Sequence, residues 1–204
     1  MSYRPQDGFF RKAKREGYRS RAAYKLLEIS QRFRLIQAGH VVVDLGAAPG
    51  GWLQVAAELA GPRGRVLGFD LQPIQPLSGA HVNAFELDLL APEAAERIRA
   101  LAEGAVDCVL SDMAPRLSGI RDADHQRALE LTRGAFDIAR AVLKPRGSFL
   151  FKTFSGVDAE ALLKEMTGCF QTVQRVRSAA TRKGSSEIYV VAKGFKANRQ
   201  SGQL

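Results

Sequence analysis

The chain has 204 residues, 46% of them apolar and 25% charged, the balance of one well-cored domain and not of a disordered polymer. No apolar run approaches the roughly 18–20 residues a membrane-spanning helix needs, so no membrane partner is expected. Net charge is +9, with only two cysteines and three scattered histidines, which argues against a disulfide scaffold and against any bound metal. Cys108 and Cys169 each lie in a mostly apolar stretch and are expected as free core thiols.

The first twenty residues, "MSYRPQDGFFRKAKREGYRS", form a basic arm without the apolar centre of a secretory signal. Ser20–Ile36 is predicted as a helix with Ser20 as its N-cap. "HVVVDLG" is a buried strand, "GWLQVAAELAG" a helix ending at Gly61-Pro62, and "GRVLGFDL" a second strand ending in Asp70. "HVNAFELDL" is a third strand closed by Asp88, "PEAAERIRALAEG" a helix, and "AVDCVLSDM" a fourth strand with Asp112 at its end. A long helix follows, stopped by Pro145 and Gly147; then come "SFLFKTF" as strand five and "DAEALLKEMTG" as a helix. "FQTVQRVR" and "EIYVVAKGF" are the last two strands. The short loop between them cannot make a parallel crossover, so they should pair antiparallel. The result is an α/β class: a seven-stranded, mostly parallel sheet with an antiparallel last strand and helices on both faces. The expected organisation is a single domain over 1–204, with a basic arm and helix (1–36) before a core over 40–194.

Charge is concentrated at the two ends. Residues 1–34 hold ten Lys/Arg against three acids, and residues 175–204 hold seven against one. Two basic ends on a mildly acidic body suggest a polyanion gripped by flanking surfaces, with Arg19, Arg21, Arg32, Arg34, Arg182 and Lys183 near its backbone. Tyr3, Phe9, Phe10, Tyr18 and Tyr24 lie among the arm's cations, a mixture that suits unstacked bases and phosphates.

In open α/β sheets, ligands sit beyond the carboxyl ends of the strands. The first such turn, "DLGAAPGGW", loses its side chains at Gly46, Ala48, Gly50 and Gly51. Its spacing differs from the G-x-G-x-x-G of nicotinamide sites, and Pro49 removes an amide useful to a pyrophosphate. A ligand without phosphates fits better, and S-adenosylmethionine is such a ligand. Asp44, Gly46 and Gly50 are assigned to its pocket, while Trp52 by itself reads as a core residue at a helix start. Asp70 is placed to accept from ribose hydroxyls and Asp88 from an exocyclic amine, while Asp112 borders both cofactor and acceptor.

"SRAAYKL", "DLGAAPGGW", "SDMAP", "FKTF" and "SSEIYVVA" occur in order from about Tyr18 to Ala192. In these the chain resembles the FtsJ/RrmJ group of ribose 2′-O-methyltransferases. The resemblance implies a Rossmann-like methyltransferase fold and a place for Trp52 in the cofactor pocket, and its Lys-Asp-Lys-Glu tetrad falls on Lys25, Asp112, Lys152 and Glu187. It also implies ribosomal RNA of the large subunit as substrate, with a uridine as the nucleotide. Departures are "RLSG" after Met-Ala-Pro, which brings in Arg116, and Phe151 and Thr153 beside the lysine; neither removes a group the chemistry needs.

The residues themselves agree with that implication. Asp112 ends strand four and Lys152 ends strand five, and Glu187 opens a strand running the other way, so all three reach one sheet edge. "DMAP" lacks the Asn/Asp-Pro-Pro-aromatic sequence of enzymes acting on planar amines, which favours a hydroxyl acceptor. Lys152 takes the central role, as a base if neutral or as a positioned cation if charged, and the sequence leaves both open. A cytoplasmic monomer is expected. The competing readings are an inactive RNA-binding assembly factor, a transfer-RNA methyltransferase, and a small-molecule or protein methyltransferase. The first leaves the full tetrad without a purpose, and the last leaves the basic ends unexplained.

Overall fold

The computed structural model describes residues 8–115, 118–154, 157–181 and 187–197. Its elements are α1 (Gly8–Arg15), α2 (Ala23–Phe33), β1 (Val41–Leu45), α3 (Gly51–Ala60), β2 (Arg65–Asp70), β3 (Val82–Glu86) and α4 (Ala94–Ala102). There follow β4 (Val106–Ser111), α5 (Arg121–Val142), β5 (Leu143–Phe154), α6 (Val157–Cys169), β6 (Phe170–Val176) and β7 (Glu187–Phe195). The sheet runs β3-β2-β1-β4-β5-β7-β6, parallel except for β7, which is antiparallel to both β5 and β6.

The period-two alternation of the strands sorts the core into two layers. Val43, Leu67, Phe69, Val109 and Phe149 pack with α4, α5 and α6. Val42, Val66, Cys108, Leu110 and Leu150 pack with α2 and α3 on the other face. Burying each such side chain contributes about 1.5–3 kcal/mol, which makes this two-sided layer the main source of stability. Cys108 is buried and Cys169 half-buried, both as free thiols.

Several local expectations are corrected. Ser20 is not an N-cap: α2 begins after Ala22, without a side-chain cap, because residues 20–25 first wind through tighter turns. Part of the basic arm is itself the helix α1, whose Phe9 and Ala13, one turn apart, pack on Tyr24 and Ala180. β3 ends at Glu86, so Asp88 lies beyond it, where its Oδ1 accepts the Leu90 amide at 2.9 Å and turns the chain toward α4. α5 ends at Val142, earlier than Pro145, and Leu143 already pairs with Val106 of β4. The next pair is Cys108 with Ser148, so Lys144–Gly147 are taken up as an irregularity inside β5, with Arg146 at φ +67.

Candidate active site

The antiparallel course of β7 decides what meets at the carboxyl edge of the sheet. Lys152 of β5 stands opposite Tyr189 of β7, and Phe154 opposite Glu187. Asp112 follows β4, the parallel neighbour of β5, directly after Ser111. Lys25 enters from the first turn of α2.

The four tetrad side chains then form one connected cluster. Lys152 Nζ donates to the Asp112 carbonyl at 2.7 Å and lies 3.0 Å from Asp112 Oδ1. The Tyr189 hydroxyl donates to that same Oδ1 at 2.8 Å and accepts from Lys25 Nζ at 3.2 Å. Lys25 also pairs with Glu187, whose Oε1 accepts the Thr181 hydroxyl at 3.4 Å. Lys25 and Lys152 are only 7% and 9% exposed, so these contacts act with little solvent screening. Burial above all, then the charges of Asp112 and Glu187, pushes the Tyr189 hydroxyl far above its ordinary pKa, and it remains a neutral donor.

Tyr189 is the member that sequence reasoning missed. A tyrosine within an apolar strand reads as core, and it is indeed fully buried. The available signal was its position two residues after Glu187, on the same face of the strand.

The cofactor side is built around β1. Gly46 and Ala47 donate to the Phe69 carbonyl at 2.8 and 3.1 Å, Ala48 donates to Asp70 Oδ2 at 2.9 Å, and Gly50 to the Ala47 carbonyl at 2.7 Å. These amides are engaged within the protein and do not form a phosphate nest, which agrees with a ligand lacking phosphates. The Ala48–Pro49 peptide bond is cis. Gly50, at φ +107, caps α3, and a Cβ there would stand 2.9 Å from Arg19 Nη1; one on Gly51 would overlap the Ser20 hydroxyl. The glycines thus let the segment before α2 close onto the loop.

Asp70 ends β2 as expected; its other oxygen accepts the Gln72 amide at 2.8 Å. Each Asp70 oxygen keeps a lone pair for further donors. Asp88 is exposed. Trp52 is 3% exposed, its ring centroid 5.9 Å from that of Tyr189, and its indole N–H donates to the Ala22 carbonyl at 2.8 Å. It therefore ties α2 to α3 beneath the site. Asp44 is fully buried, and neither of its oxygens has a hydrogen-bond partner among the described residues. Burial first, and then Asp112 and Asp70, raises its carboxyl well above the usual range. A buried acid without a donor, flanked by two more acids, suits a ligand that brings positive charge.

The cations expected along the substrate divide differently. Arg19 is committed to the protein, donating to the carbonyls of Pro49, Gln75 and Pro76 at 3.2, 2.6 and 2.7 Å. Arg32 and Arg34 lie at the far end of α2, where Lys193 Nζ donates to the Phe33 carbonyl at 2.7 Å. Lys193 pairs with Ser148, toward the amino end of β5, so these two arginines are remote from Lys152. Arg21 is close enough for its charge to act on Tyr189. Arg116, Arg182 and Lys183 lie outside the described residues.

A profile of the FtsJ-like methyltransferase family matches residues 18–195, a span holding all four tetrad positions and the glycine loop. The chain belongs to this family. Among its relatives, "Ribosomal RNA large subunit methyltransferase E" of Methanothrix thermoacetophila is 48% identical over 205 residues, covering 100% of this chain and 79% of that protein. The protein of the same name from Anaeromyxobacter dehalogenans is 46% identical over 194 residues, covering 95% and 73%. A crystal structure described as a ribosomal RNA methyltransferase of Plasmodium falciparum superposes with a TM-score of 0.75 at 26% identity, covering 87% of this chain and 98% of that one. The family's Lys-Asp-Lys-Glu pattern is thus a physical cluster in this chain, with Tyr189 as its internal link.

Proposed function

We propose that this protein transfers a methyl group from S-adenosylmethionine to the ribose 2′-hydroxyl of a uridine in large-subunit ribosomal RNA, acting on the assembled or nearly assembled subunit. The reading extends the activity named for its relatives, and one observation carries it: Lys152 Nζ is held by two acceptors of a single residue, Asp112. A neutral amine has two N–H groups, enough for both acceptors, and its lone pair is then left for a third direction. An ammonium in the same place points its third N–H in that direction, so in either form Lys152 would meet the 2′-hydroxyl there and orient it. Tyr189, Lys25 and Glu187 hold Asp112 and so fix the lysine, which is positioning of the kind that supplies much of the rate in a displacement reaction.

When bound, S-adenosylmethionine supplies an electrophilic methyl group on a positively charged sulfur. Asp44, Gly46 and Gly50 would face its sulfonium and the adjoining amino-acid end, Asp70 its ribose and Asp88 its base, with Asp112 between cofactor and acceptor and Trp52 supporting the pocket from behind. Ribosomal RNA would approach over α1, whose Arg11, Lys12, Lys14 and Arg15 are exposed. That helix packs on Tyr24 and Ala180, the chain neighbours of Lys25 and Thr181. We take the enzyme to be a cytoplasmic monomer; among the described residues no helix is long and apolar enough to cross a membrane.

The test is labelled-methyl transfer to intact large subunits, free ribosomal RNA and transfer RNA, run on the native protein and on Lys152→Ala. Label on a 2′-O-methyluridine of the large subunit is expected from the native protein, with none from the variant, while the variant still binds cofactor in calorimetry. Transfer to transfer RNA alone, or full activity in Lys152→Ala, would overturn the assignment.

A further inference from the structure

Asp44 stands in the middle of a row of three acids. On β1 it is level with Gly68 of β2 and Leu110 of β4. Asp70 and Asp112 lie two residues further along those neighbouring strands, and so on the same face of the sheet. Both outer acids have partners: Asp70 accepts the Ala48 and Gln72 amides, and Asp112 accepts from Lys152 and Tyr189. Among the described residues Asp44 has no donor, and it is fully buried.

Among the described residues the surroundings supply no compensating charge. Gly68 has no side chain, and Leu53 and Ala47 fill the space beside it. Cys108, next but one to Leu110 on β4, is a neutral thiol whose own ionisation is made harder by burial and, in lesser part, by Asp44. The nearby cations are already engaged: Lys152 with Asp112, Lys25 with Glu187 and Tyr189, and Arg19 with three carbonyls. An ionised Asp44 in this setting would be an uncompensated buried charge between two others of the same sign, which a protein avoids by keeping the group protonated.

We infer that Asp44 holds a proton in the cofactor-free enzyme and releases it as the cationic cofactor binds, so that cofactor capture is coupled to loss of about one proton. The step balances: the Asp44 O–H bond breaks, the proton passes to buffer, and the carboxylate left behind faces the positive charge the cofactor brings. After transfer the thioether product has lost its sulfonium charge, and Asp44 recovers a proton from solvent as that product leaves. The coupling favours the charged donor over the neutral product without any change of shape. It rests on the placement of Asp44 in the cofactor pocket proposed above.

Calorimetric titration of the intact protein with S-adenosylmethionine, in buffers of different ionisation enthalpy at one pH, reads the proton directly. The observed heat is expected to vary with buffer enthalpy with a slope of about one proton released, and the slope should be smaller for S-adenosylhomocysteine. Affinity for S-adenosylmethionine should strengthen as pH rises, by up to about tenfold per pH unit, and level off once Asp44 ionises in the free enzyme. Asp44→Asn should abolish the buffer dependence and most of the preference for the charged donor.

Binding to the native protein with buffer-independent heat would overturn the proton coupling while leaving the pocket in place. A slope that persists in Asp44→Asn would assign the proton to another group and equally overturn it. Unchanged affinity for both ligands in that variant would instead remove Asp44 from the pocket. The native titration decides the coupling even if the variant fails to fold.

Discussion

Tyr189 joins a cation to an anion through one oxygen, accepting from Lys25 and donating to Asp112. Tyr189→Phe removes both bonds, yet Lys25 keeps Glu187 and Asp112 keeps Lys152. The fold should therefore lose little, while the lysine's aim is loosened. Hydrogen bonds to charged groups contribute about 1.5–3 kcal/mol, so kcat should fall about ten- to a hundredfold with cofactor affinity nearly unchanged. A melting temperature that dropped in proportion to the rate would make the tyrosine structural only. Asp44 gives a second expectation. Its folded carboxyl binds a proton more tightly than the unfolded chain does, so its contribution to stability is full below the ordinary carboxylate range. That contribution falls away as pH rises toward the raised folded value. Melting temperatures of the cofactor-free protein should decline over this interval, and Asp44→Asn should flatten the decline. At this scale the sequence told which residue types matter but not their bonds; a tyrosine in an apolar strand carries no outward mark of the two charges it bridges.

Among the elements, the strands and most helices were legible because burial imposes a period of two or of 3.6 on the pattern. What was not legible depended on neighbours. Lys144–Gly147 look like a helix stop, and so they are, but pairing with β4 draws them into β5. Arg19 looks like one more cation for a polyanion; only the fold reveals that the carbonyls of Pro49, Gln75 and Pro76 surround its guanidinium. It clips the segment before α2 to the glycine loop and to the stretch after β2. Arg19→Ala should thus release the loop, weakening S-adenosylmethionine binding by about tenfold, the equivalent of roughly 1.4 kcal/mol. Its effect on RNA binding should show no change in salt dependence. A reduced salt slope with intact cofactor affinity would return Arg19 to the RNA surface.

For the whole molecule, charge composition foresaw a polyanion partner but not which side it would meet. Lys25 and Arg32 are seven residues apart on α2, roughly 10 Å of helix rise, and the far end docks beside Lys193, about 20 Å along β7 from Glu187. α1, by contrast, sits at the rim of the site. The double variant Arg11→Ala/Lys14→Ala should lower the slope of log affinity against log salt by roughly 1.4–1.8 units, whereas Arg32→Ala and Arg34→Ala should leave it unchanged. Equal slopes in all of these proteins would mean that α1 only solvates its end of the molecule.

The ion pair that anchors the cluster joins residues 162 positions apart. Lys25 comes from the first helix to pack on the sheet, Glu187 from the last strand to enter it, and Tyr189, which holds Asp112 in place, also lies in that strand. Such a contact closes late, because the intervening chain must be ordered before its ends can meet. A growing polypeptide lacking β7 can therefore build the glycine loop, and with it much of the cofactor pocket, but not the lysine-holding cluster. Binding of the methyl donor and positioning of Lys152 are thereby set at different stages of folding, the second waiting on Glu187 and Tyr189 of β7.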